Sequence, residues 1–225
     1  MSTSPPLVIF DLDGTLADTA GDLMAALNFV LERDGIPPLP VEQARTLLGA
    51  GGRALIRRGY AVSGRNIEGT RLEELFADFL HDYESHIAAR SALFPGVIDA
   101  LERLERDGFA FAVCTNKMER ASIKLLQALG VDSRFRAICG QDTFGFYKPD
   151  ARTLPAVIAR AGGTVERSVM IGDSITDIAA AKNAMIPVVA VDFGYTDKPV
   201  AELGPDRVIS HFDELDAAVK SLLAA

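Results

Sequence analysis

Apolar and polar residues alternate along the chain in blocks that match strands and helices. The block PLVIF is short, apolar and bounded by Pro6 and by acidic residues, which predicts a strand buried on both faces. The next block, from Asp18 to Arg33, carries leucines and a valine at helical spacing. Asp18 or Thr19 can cap this helix, and the segment IPPLP ends it.

Residues from about 37 to 90 keep a helical periodicity and show no strand pattern. Their apolar positions form two groups, which are Leu47, Leu48, Leu55 and Ile56, and then Leu72, Leu75, Phe76, Phe79 and Tyr83. The tripeptide FPG at 94–96 closes the region. This part of the chain is therefore predicted to be entirely helical.

Beyond FPG, strands and helices alternate to the end of the chain. The predicted strands are FAFAVCT, RAICG, SVMIGD, PVVAVDF and RVIS, and helical patterns lie between most of them. Strands separated by helices imply right-handed crossovers and a doubly wound parallel sheet. The predicted fold class is α/β, with residues 18–91 as an α-helical insertion into a core made of residues 1–17 and 92–225.

Composition and charge narrow the class of protein. The 225 residues are 48% hydrophobic and carry a net charge of −8, which argues against a nucleic-acid partner. The N-terminal segment MSTSPPLVIF lacks a secretory pattern, and no apolar run reaches the length of a membrane helix. Cys114 and Cys139 lie inside apolar runs and are expected to be reduced thiols. We expect a soluble, cytoplasmic protein without a membrane partner.

Polar residues follow several of the predicted strands, namely Asp11, Asp13, Thr115, Asn116, Lys148, Asp173 and Ser174. Ligands of open α/β sheets bind beyond the carboxyl ends of the strands, so these groups are expected to meet in one site. Three carboxylates this close require a cation. Oxygen ligands without clustered His or Cys favour Mg²⁺, which often shares its remaining positions with a phosphate.

Four motifs resemble those of the haloacid dehalogenase superfamily in order and spacing. They are DLDGT at 11–15, CTN at 114–116, KPD at 148–150 and GDSITD at 172–177, and the match spans nearly the whole chain. A helical insertion after the first motif is similar to the cap domain of the phosphoglycolate phosphatase-like branch. The resemblance implies a core domain of residues 1–17 and 92–225 and a helical cap domain of residues 18–91.

The resemblance also implies roles for the acidic residues. Asp11 would be the nucleophile that forms an aspartyl-phosphate, and Asp13 would be the general acid and then the general base. The carboxylates of Asp11 and Asp173 and the backbone carbonyl of Asp13 would hold Mg²⁺. Asp177 would be an outer-sphere ligand of the metal or would orient a metal-bound water.

The remaining implied site residues would contact the substrate. Thr115 and Lys148 would bind the phosphoryl oxygens, with Gly14 and Asn116 in the same cradle. The segment GAGGRA at 49–54 matches a dinucleotide fingerprint but follows a helical pattern rather than a strand, which argues against that function. It resembles the Gly-rich cap segment of phosphoglycolate phosphatases, so Arg53 is a candidate for binding a substrate carboxylate.

A calcium loop at DLDGT and two other enzyme classes fit the sequence less well. A calcium loop that starts at Asp11 puts Leu16 where the turn glycine belongs, and a loop aligned on Gly14 puts Ile9 at the first ligand position. A phosphonate hydrolase needs a cap lysine, and residues 18–90 contain none. A dehalogenase of this superfamily works without the metal that these acids imply.

The predicted function is a Mg²⁺-dependent phosphatase for a small phosphorylated metabolite, with 2-phosphoglycolate as the preferred substrate. The alternatives are a β-phosphoglucomutase-like phosphomutase and a phosphatase for a sugar phosphate or nucleotide. A catalytically inactive regulatory binding module is a further alternative, although it would be expected to lack the nucleophile or a metal acid. Whether the protein is a monomer or a homodimer stays open.

Overall fold

The computed structural model describes residues 4–196 and 198–224, and six strands in these ranges form one parallel sheet. They are β1 (Leu7–Phe10), β4 (Ala110–Cys114), β5 (Phe135–Cys139), β6 (Ser168–Gly172), β7 (Val188–Val191) and β8 (Arg207–Ile209). Their order across the sheet is β5-β4-β1-β6-β7-β8. Both neighbours of β1 run parallel to it. The predicted doubly wound parallel sheet is confirmed, with the first strand at its centre.

Helices cover both faces of this sheet. They are α5 (Val97–Arg106), α6 (Glu119–Ala128), α7 (Thr153–Arg160), α8 (Ile175–Ala184) and α9 (Leu215–Leu223). Val8 and Phe10 of β1 pack into a cluster with residues of α5 and α9. Leu7 and Ile9 pack on the other face with residues of α7 and α8. Side chains of a strand alternate between its faces, and here both faces are apolar, so the strand is buried on both sides.

The region between the first and second strands of the sheet is helical. It contains α1 (Ala20–Arg33), α2 (Ala44–Leu47), α3 (Gly52–Val62) and α4 (Gly69–Ser85). The apolar residues that define the predicted periodicity of this region are buried. They form their own cluster, which also includes Ala121 of α6 and Tyr195 from the loop after β7. The helical insertion therefore has its own core and packs against the sheet domain at a few points.

Short 3₁₀ helices complete the described secondary structure, at Val41–Gln43, Asp132–Arg134, Val165–Arg167, Val200–Leu203 and Phe212–Glu214. The last of these directly precedes α9. In the part of the chain that the structure describes, no helix is both long and apolar enough to cross a membrane.

A second, two-stranded sheet lies where the chain enters and leaves the helical insertion. β2 (Ala17–Asp18) pairs antiparallel with β3 (Ala92–Leu93). Strands of two residues leave no alternation in the sequence, so the pattern could not predict them. We retain the division into a core of residues 1–17 and 92–225 and a cap of residues 18–91 as a proposal, since both boundaries fall at this small sheet.

A buried carboxylate ties the helical insertion to its return crossing. Oδ2 of Asp22, in the first turn of α1, accepts the backbone N–H groups of Arg90 at 3.0 Å and Ser91 at 2.9 Å. The same oxygen accepts the hydroxyl of Ser91 at 2.6 Å. A charged acceptor with several donors gives strong hydrogen bonds, so the position of α1 fixes where the chain re-enters the core.

Candidate active site

Three neighbouring strands bring polar residues to one edge of the sheet. β4, β1 and β6 lie side by side, and Thr115, Asp11 and Asp173 follow their carboxyl ends. The backbone N–H of Asp11 donates to the carbonyl of Ile171 at 2.8 Å, so strand pairing continues up to the first acid. The main chain of the sheet thus sets the spacing of these side chains.

Asp11, Asp173 and Asp177 form a buried cluster, with one oxygen of each within 4.8 Å of the others. Burial raises the pKa of Asp11 to about 6, opposed by the positive charge of Lys148 and assisted by Asp177. Burial also raises the pKa of Asp173 well above its ordinary value, and Asp177 and Asp11 add to the effect. The protein alone therefore compensates this negative charge incompletely, which suits a divalent cation.

The donor set of this cluster fits Mg²⁺. All its groups are carboxylates, and such hard oxygen donors are the ligands that Mg²⁺ prefers. Oδ1 of Asp11 is buried and accepts no hydrogen bond. Asp173 is held in place because its Oδ2 accepts the N–H of Tyr195 at 2.6 Å and its Oδ1 accepts the hydroxyl of Thr15 at 3.2 Å.

Lys148 lies between two of the acids. Its Nζ is 2.9 Å from Oδ1 of Asp11, an ion contact without hydrogen-bond alignment, and 2.5 Å from Oδ1 of Asp177. Burial alone lowers the pKa of Lys148, but the two carboxylates more than offset it and hold the pKa above its ordinary value. The carbonyl of Lys148 accepts Nδ2 of Asn116 at 3.0 Å, which anchors the loop that carries this cation.

Asp13 points away from the acidic cluster. Its Oδ1 accepts the hydroxyl of Thr19 at 2.7 Å. Nζ of Lys117 lies 2.8 Å from Oδ1 and 2.9 Å from Oδ2 of the same carboxylate. Two neighbouring acids, Asp11 and Asp13, thus face different lysines. This separation is consistent with different chemical roles for the two carboxylates.

Lys117 is the site residue that sequence reasoning missed. Its side chain is 6% exposed, and it directly follows the CTN motif in the sequence. Its position in the loop after β4 could have indicated a site residue, because this loop lies at the same sheet edge as Thr115. The hydroxyl of Thr115 accepts the backbone N–H of Lys117 at 3.2 Å, which turns this loop over the strand end.

Gly14 makes a close approach that excludes any side chain. Its φ is +85°, and a Cβ there would lie 2.4 Å from Oδ2 of Asp173 and 2.9 Å from Cδ2 of Tyr195. A left-handed conformation in so little space admits only glycine. In this structure the turn at Gly14 approaches the carboxylate of Asp173. The contact of Gly14 with phosphate stays a prediction.

Asp177 links the acidic cluster to the start of α8. Its Oδ2 accepts the backbone N–H of Ser174 at 3.1 Å and the hydroxyl of Ser174 at 2.6 Å. Ser174 is the N-cap residue of α8. Because one oxygen of Asp177 serves Ser174 and the other serves Lys148, this carboxylate has little remaining capacity for direct coordination of a metal.

A small cavity of about 50 Å³ lies between the carboxyl edge of the sheet and the helical insertion. Its polar side includes Asp11, Asp13, Thr115, Asn116, Lys117 and Lys148. Its apolar side comes largely from the insertion and includes Leu48, Leu55, Phe76, Phe79 and Tyr83. The cavity is therefore small, and one part of its wall is polar while the other is apolar.

Arg53 lies outside this cavity. Its Nε and Nη2 pair with the carboxylate of Glu73 at 2.9 and 2.7 Å, and the two side chains are 38% and 55% exposed. The guanidinium stacks on the ring of Phe76, with Cζ 3.8 Å from the centroid. The structure therefore does not bring Arg53 to the other site residues, and its predicted contact with a substrate carboxylate rests on the resemblance alone.

Glycines of the same segment do reach the cavity. Gly49, Gly51 and Gly52 line it, and a Cβ on Gly51 would lie 3.0 Å from the carbonyl oxygen of Asn116. The backbone of the helical insertion thus rests directly on the loop after β4. The Gly-rich segment permits this close contact, which seals one side of the cavity.

Comparison with known families and proteins gives a consistent result. The model of the haloacid dehalogenase-like hydrolase family matches residues 8–191. A phosphoglycolate phosphatase from Mesorhizobium japonicum is 48% identical over 212 residues, covering 94% of this chain and 93% of that protein. A phosphoglycolate phosphatase from Agrobacterium fabrum is 44% identical over 214 residues, covering 95% and 92%.

Solved structures agree with these sequence relatives. The crystal structure of a predicted phosphoglycolate phosphatase from Haemophilus somnus superposes with a TM-score of 0.87 at 27% identity. The superposition covers 97% of this chain and 99% of the other. It therefore includes the helical insertion as well as the parallel sheet.

Proposed function

The chain belongs to the haloacid dehalogenase-like hydrolase family and is a phosphoric monoester hydrolase, and we propose that its substrate is 2-phosphoglycolate. The observation that supports the reaction is the position of Asp11, which lines a small cavity with Lys148 beside it. The choice of substrate is supported by the two relatives at 48% and 44% identity, because both are named phosphoglycolate phosphatase.

Asp11 is the proposed nucleophile. One of its oxygens bonds to phosphorus while the bond from phosphorus to the leaving oxygen breaks, giving an aspartyl-phosphate. A pKa of about 6 leaves this carboxylate largely ionised at neutral pH. Lys148 and Thr115 border the same cavity and bind the phosphoryl oxygens in this mechanism, and the ammonium of Lys148 stabilises the negative charge that develops on them. Asn116 supports Lys148 through the bond to its carbonyl.

Asp13 is the proposed acid and base. It gives a proton to the departing oxygen and then takes one from the water that attacks the phosphorus, which frees Asp11 as a carboxylate. The hydroxyl of Thr19 and Nζ of Lys117 orient its carboxylate. The two acids have different roles because Asp11 lies in the cluster of carboxylates proposed to bind Mg²⁺, whereas Asp13 faces the helical insertion.

Mg²⁺ is the proposed cofactor. The carboxylates of Asp11 and Asp173 and the backbone carbonyl of Asp13 would hold it, with Asp177 orienting a coordinated water. Bound there, the ion would offset the charge of the acids and of the phosphate. Four carboxylates face two lysines at this site, and a divalent cation matches the remaining charge.

The size of the cavity supports a small leaving group. At a cavity of about 50 Å³, a two-carbon ester requires less displacement of the helical insertion than a hexose or nucleoside ester does. This is the argument for a metabolite phosphatase over a sugar phosphomutase. The helical insertion acts as a cap that expels bulk water from the reaction in this proposal.

We also place the protein in the cytoplasm. Cys114 and Cys139 occupy paired positions on β4 and β5, both buried and both free thiols. Adjacent cysteines that are not joined suit a reducing compartment.

Phosphate release tests the proposal. The purified protein should hydrolyse 2-phosphoglycolate in the presence of Mg²⁺, faster than glucose 6-phosphate or a nucleoside monophosphate, and chelation of the metal should stop turnover. When the reaction with phosphate-labelled substrate is quenched with acid, the enzyme should carry labelled phosphate, and hydroxylamine should remove it. Asp11→Asn should carry no label. Preference for another ester would refute the substrate but keep the mechanism. Activity that depends on a sugar bisphosphate would point to a phosphomutase.

A further inference from the structure

The cavity contains a cation for which the reaction at phosphorus has no direct use. Among the described residues that line it, the charged donors are Lys117 and Lys148. Lys148 lies beside Asp11 and Asp177, where the phosphoryl group is handled. Lys117 instead lies beside Asp13, the residue that protonates the departing oxygen in the proposed mechanism. Its ammonium is therefore adjacent to the leaving group rather than to the phosphoryl oxygens.

Lys117 is buried, with a side chain that is 6% exposed. Its Nζ is 2.8 and 2.9 Å from the two oxygens of Asp13. An ammonium has three N–H donors, so one remains for another acceptor in the cavity. Little water screens the interaction of that donor with an anion.

Tyr83 of α4 completes a recognition site for such an anion. Nζ of Lys117 lies 4.4 Å from the centroid of the Tyr83 ring. Among the residues that the structure describes, none meets the buried Tyr83 hydroxyl at hydrogen-bond distance and angle, and Tyr83 lines the cavity. A buried hydroxyl without a partner is unfavourable, and a ligand acceptor in the cavity would satisfy it. Burial raises the pKa of Tyr83 to about 12, so the group stays a donor at neutral pH.

We propose that Lys117 and Tyr83 together bind the anionic end of the leaving group and so determine the substrate class. The class is phosphate monoesters with a carboxylate about two carbons from the ester oxygen. This inference rests on the proposed phosphatase function and extends it. The two donors come from the core and from the helical insertion, so they meet only when the insertion is closed over the site.

The geometry explains how a small carboxylate is chosen over a neutral group. A carboxylate accepts from Nζ and from the phenol at once, which satisfies the hydroxyl that otherwise has no partner. A neutral leaving group leaves Lys117 paired with Asp13 and leaves the Tyr83 hydroxyl unsatisfied. Leu48, Leu55 and Phe79 form the surrounding apolar wall, which offers no competing charge.

A pair of substrates with the same carbon count isolates this effect. 2-Phosphoglycolate and ethyl phosphate differ in the carboxylate, and kcat/KM is measured for both with Mg²⁺ present. We expect Lys117→Met to lower kcat/KM for 2-phosphoglycolate at least 30-fold more than for ethyl phosphate, of the order that one buried charged contact supplies. Tyr83→Phe should lower it at least fivefold more for 2-phosphoglycolate, mainly through KM.

Two controls keep the result interpretable. Lys124→Met, on the outward side of α6 where Lys124 pairs with Glu84, removes the same charge away from the cavity and should change neither rate. Tyr83→Phe preserves the ring and tests the same proposal if Lys117→Met fails to fold. Losses of equal size on both substrates would mean that Lys117 and Tyr83 only position Asp13, and would overturn the inference. Wild-type protein inactive on both esters would instead refute the proposed function.

Discussion

The hydroxyl oxygen of Tyr195 lies 2.6 Å from the backbone nitrogen of Thr19. It also accepts the N–H of Ala20 at 2.9 Å and donates to Oδ1 of Asp18 at 2.5 Å. The phenol therefore caps the first helix of the insertion from the core side. Thr19 makes no side-chain cap because its hydroxyl donates to Asp13. Since the N–H of Tyr195 donates to Asp173 at 2.6 Å, one residue joins the chain crossing to the acidic cluster.

Tyr195→Phe should weaken this connection. Two amide donors at the start of α1 lose their shared acceptor in a buried setting, so the free energy of unfolding should fall by about 1–3 kcal/mol. Urea denaturation of the metal-free protein measures the change. Tyr147→Phe is the matched control, because Tyr147 is 53% exposed, and it should leave the midpoint in place. Equal midpoints for all three proteins would show that the phenol bonds contribute nothing net.

The raised pKa values of Asp11 and Asp173 predict how metal binding depends on pH. Below about 6, the pKa of Asp11, its carboxyl holds a proton that Mg²⁺ must displace. Above that pH the carboxylate is already ionised. The apparent affinity for Mg²⁺ should therefore rise with pH through about 6, and the raised pKa of Asp173 adds to this rise, by up to about tenfold per pH unit for each proton displaced.

Calorimetric titration with Mg²⁺ in two buffers of different ionisation enthalpy measures the protons released. Release should be larger at pH 5 than at pH 8. Asp11→Asn, which has no proton to lose at this position, should reduce the release. An affinity that is flat between pH 5 and pH 8 would contradict the assignment of this cluster as the metal site.

The sequence pattern was sufficient for the fold because its strongest elements are long or unmistakable. PLVIF has no polar side, which predicts a strand buried on both faces, and the periodic leucines of residues 18–33 predict a helix. The two-residue strands at Ala17–Asp18 and Ala92–Leu93 could not be seen. They form only because the chain passes the same place twice, which is a property of the tertiary structure.

The structure places close together those predicted residues whose motifs lie directly at strand ends. Asp11, Thr115 and Asp173 follow adjacent strands, so topology alone makes them neighbours. Lys117 and Tyr83 were beyond this reasoning as a pair, since they meet only through the packing of the helical insertion on the core. Arg53 illustrates the same limit, because its glycine-rich context indicated the site while its side chain turns outward to Glu73.

Gly14→Ala should damage metal binding more than folding. A Cβ at this position would lie 2.4 Å from Oδ2 of Asp173, so the carboxylate must move. We expect Mg²⁺ affinity to fall about 10- to 100-fold, with a native circular dichroism spectrum. Gly130→Ala is the control. It imposes a similar backbone cost, since φ is +73° there, but an added Cβ would have no described atom within 4 Å. If the two variants bind Mg²⁺ equally well, the close approach of Gly14 has no role in holding Asp173.

Arg53→Ala should have little effect on substrate selection. The side chain of Arg53 is 38% exposed and pairs with Glu73, and an exposed ion pair of this kind contributes little to stability. The ratio of kcat/KM for 2-phosphoglycolate to that for ethyl phosphate should stay within about twofold of wild type. Steady-state kinetics with both esters measures it.

Arg57→Ala is the matched control for this variant, because Arg57 lies on the same helix and pairs with Glu68 at 2.7 Å on a similarly exposed surface. Both variants should behave alike. A selective rise in KM for 2-phosphoglycolate in Arg53→Ala alone would mean that the guanidinium leaves Glu73 when substrate binds. The carboxylate would then be bound by the helical insertion through Arg53 as the resemblance implies, and the cation at Lys117 would serve chiefly to orient Asp13.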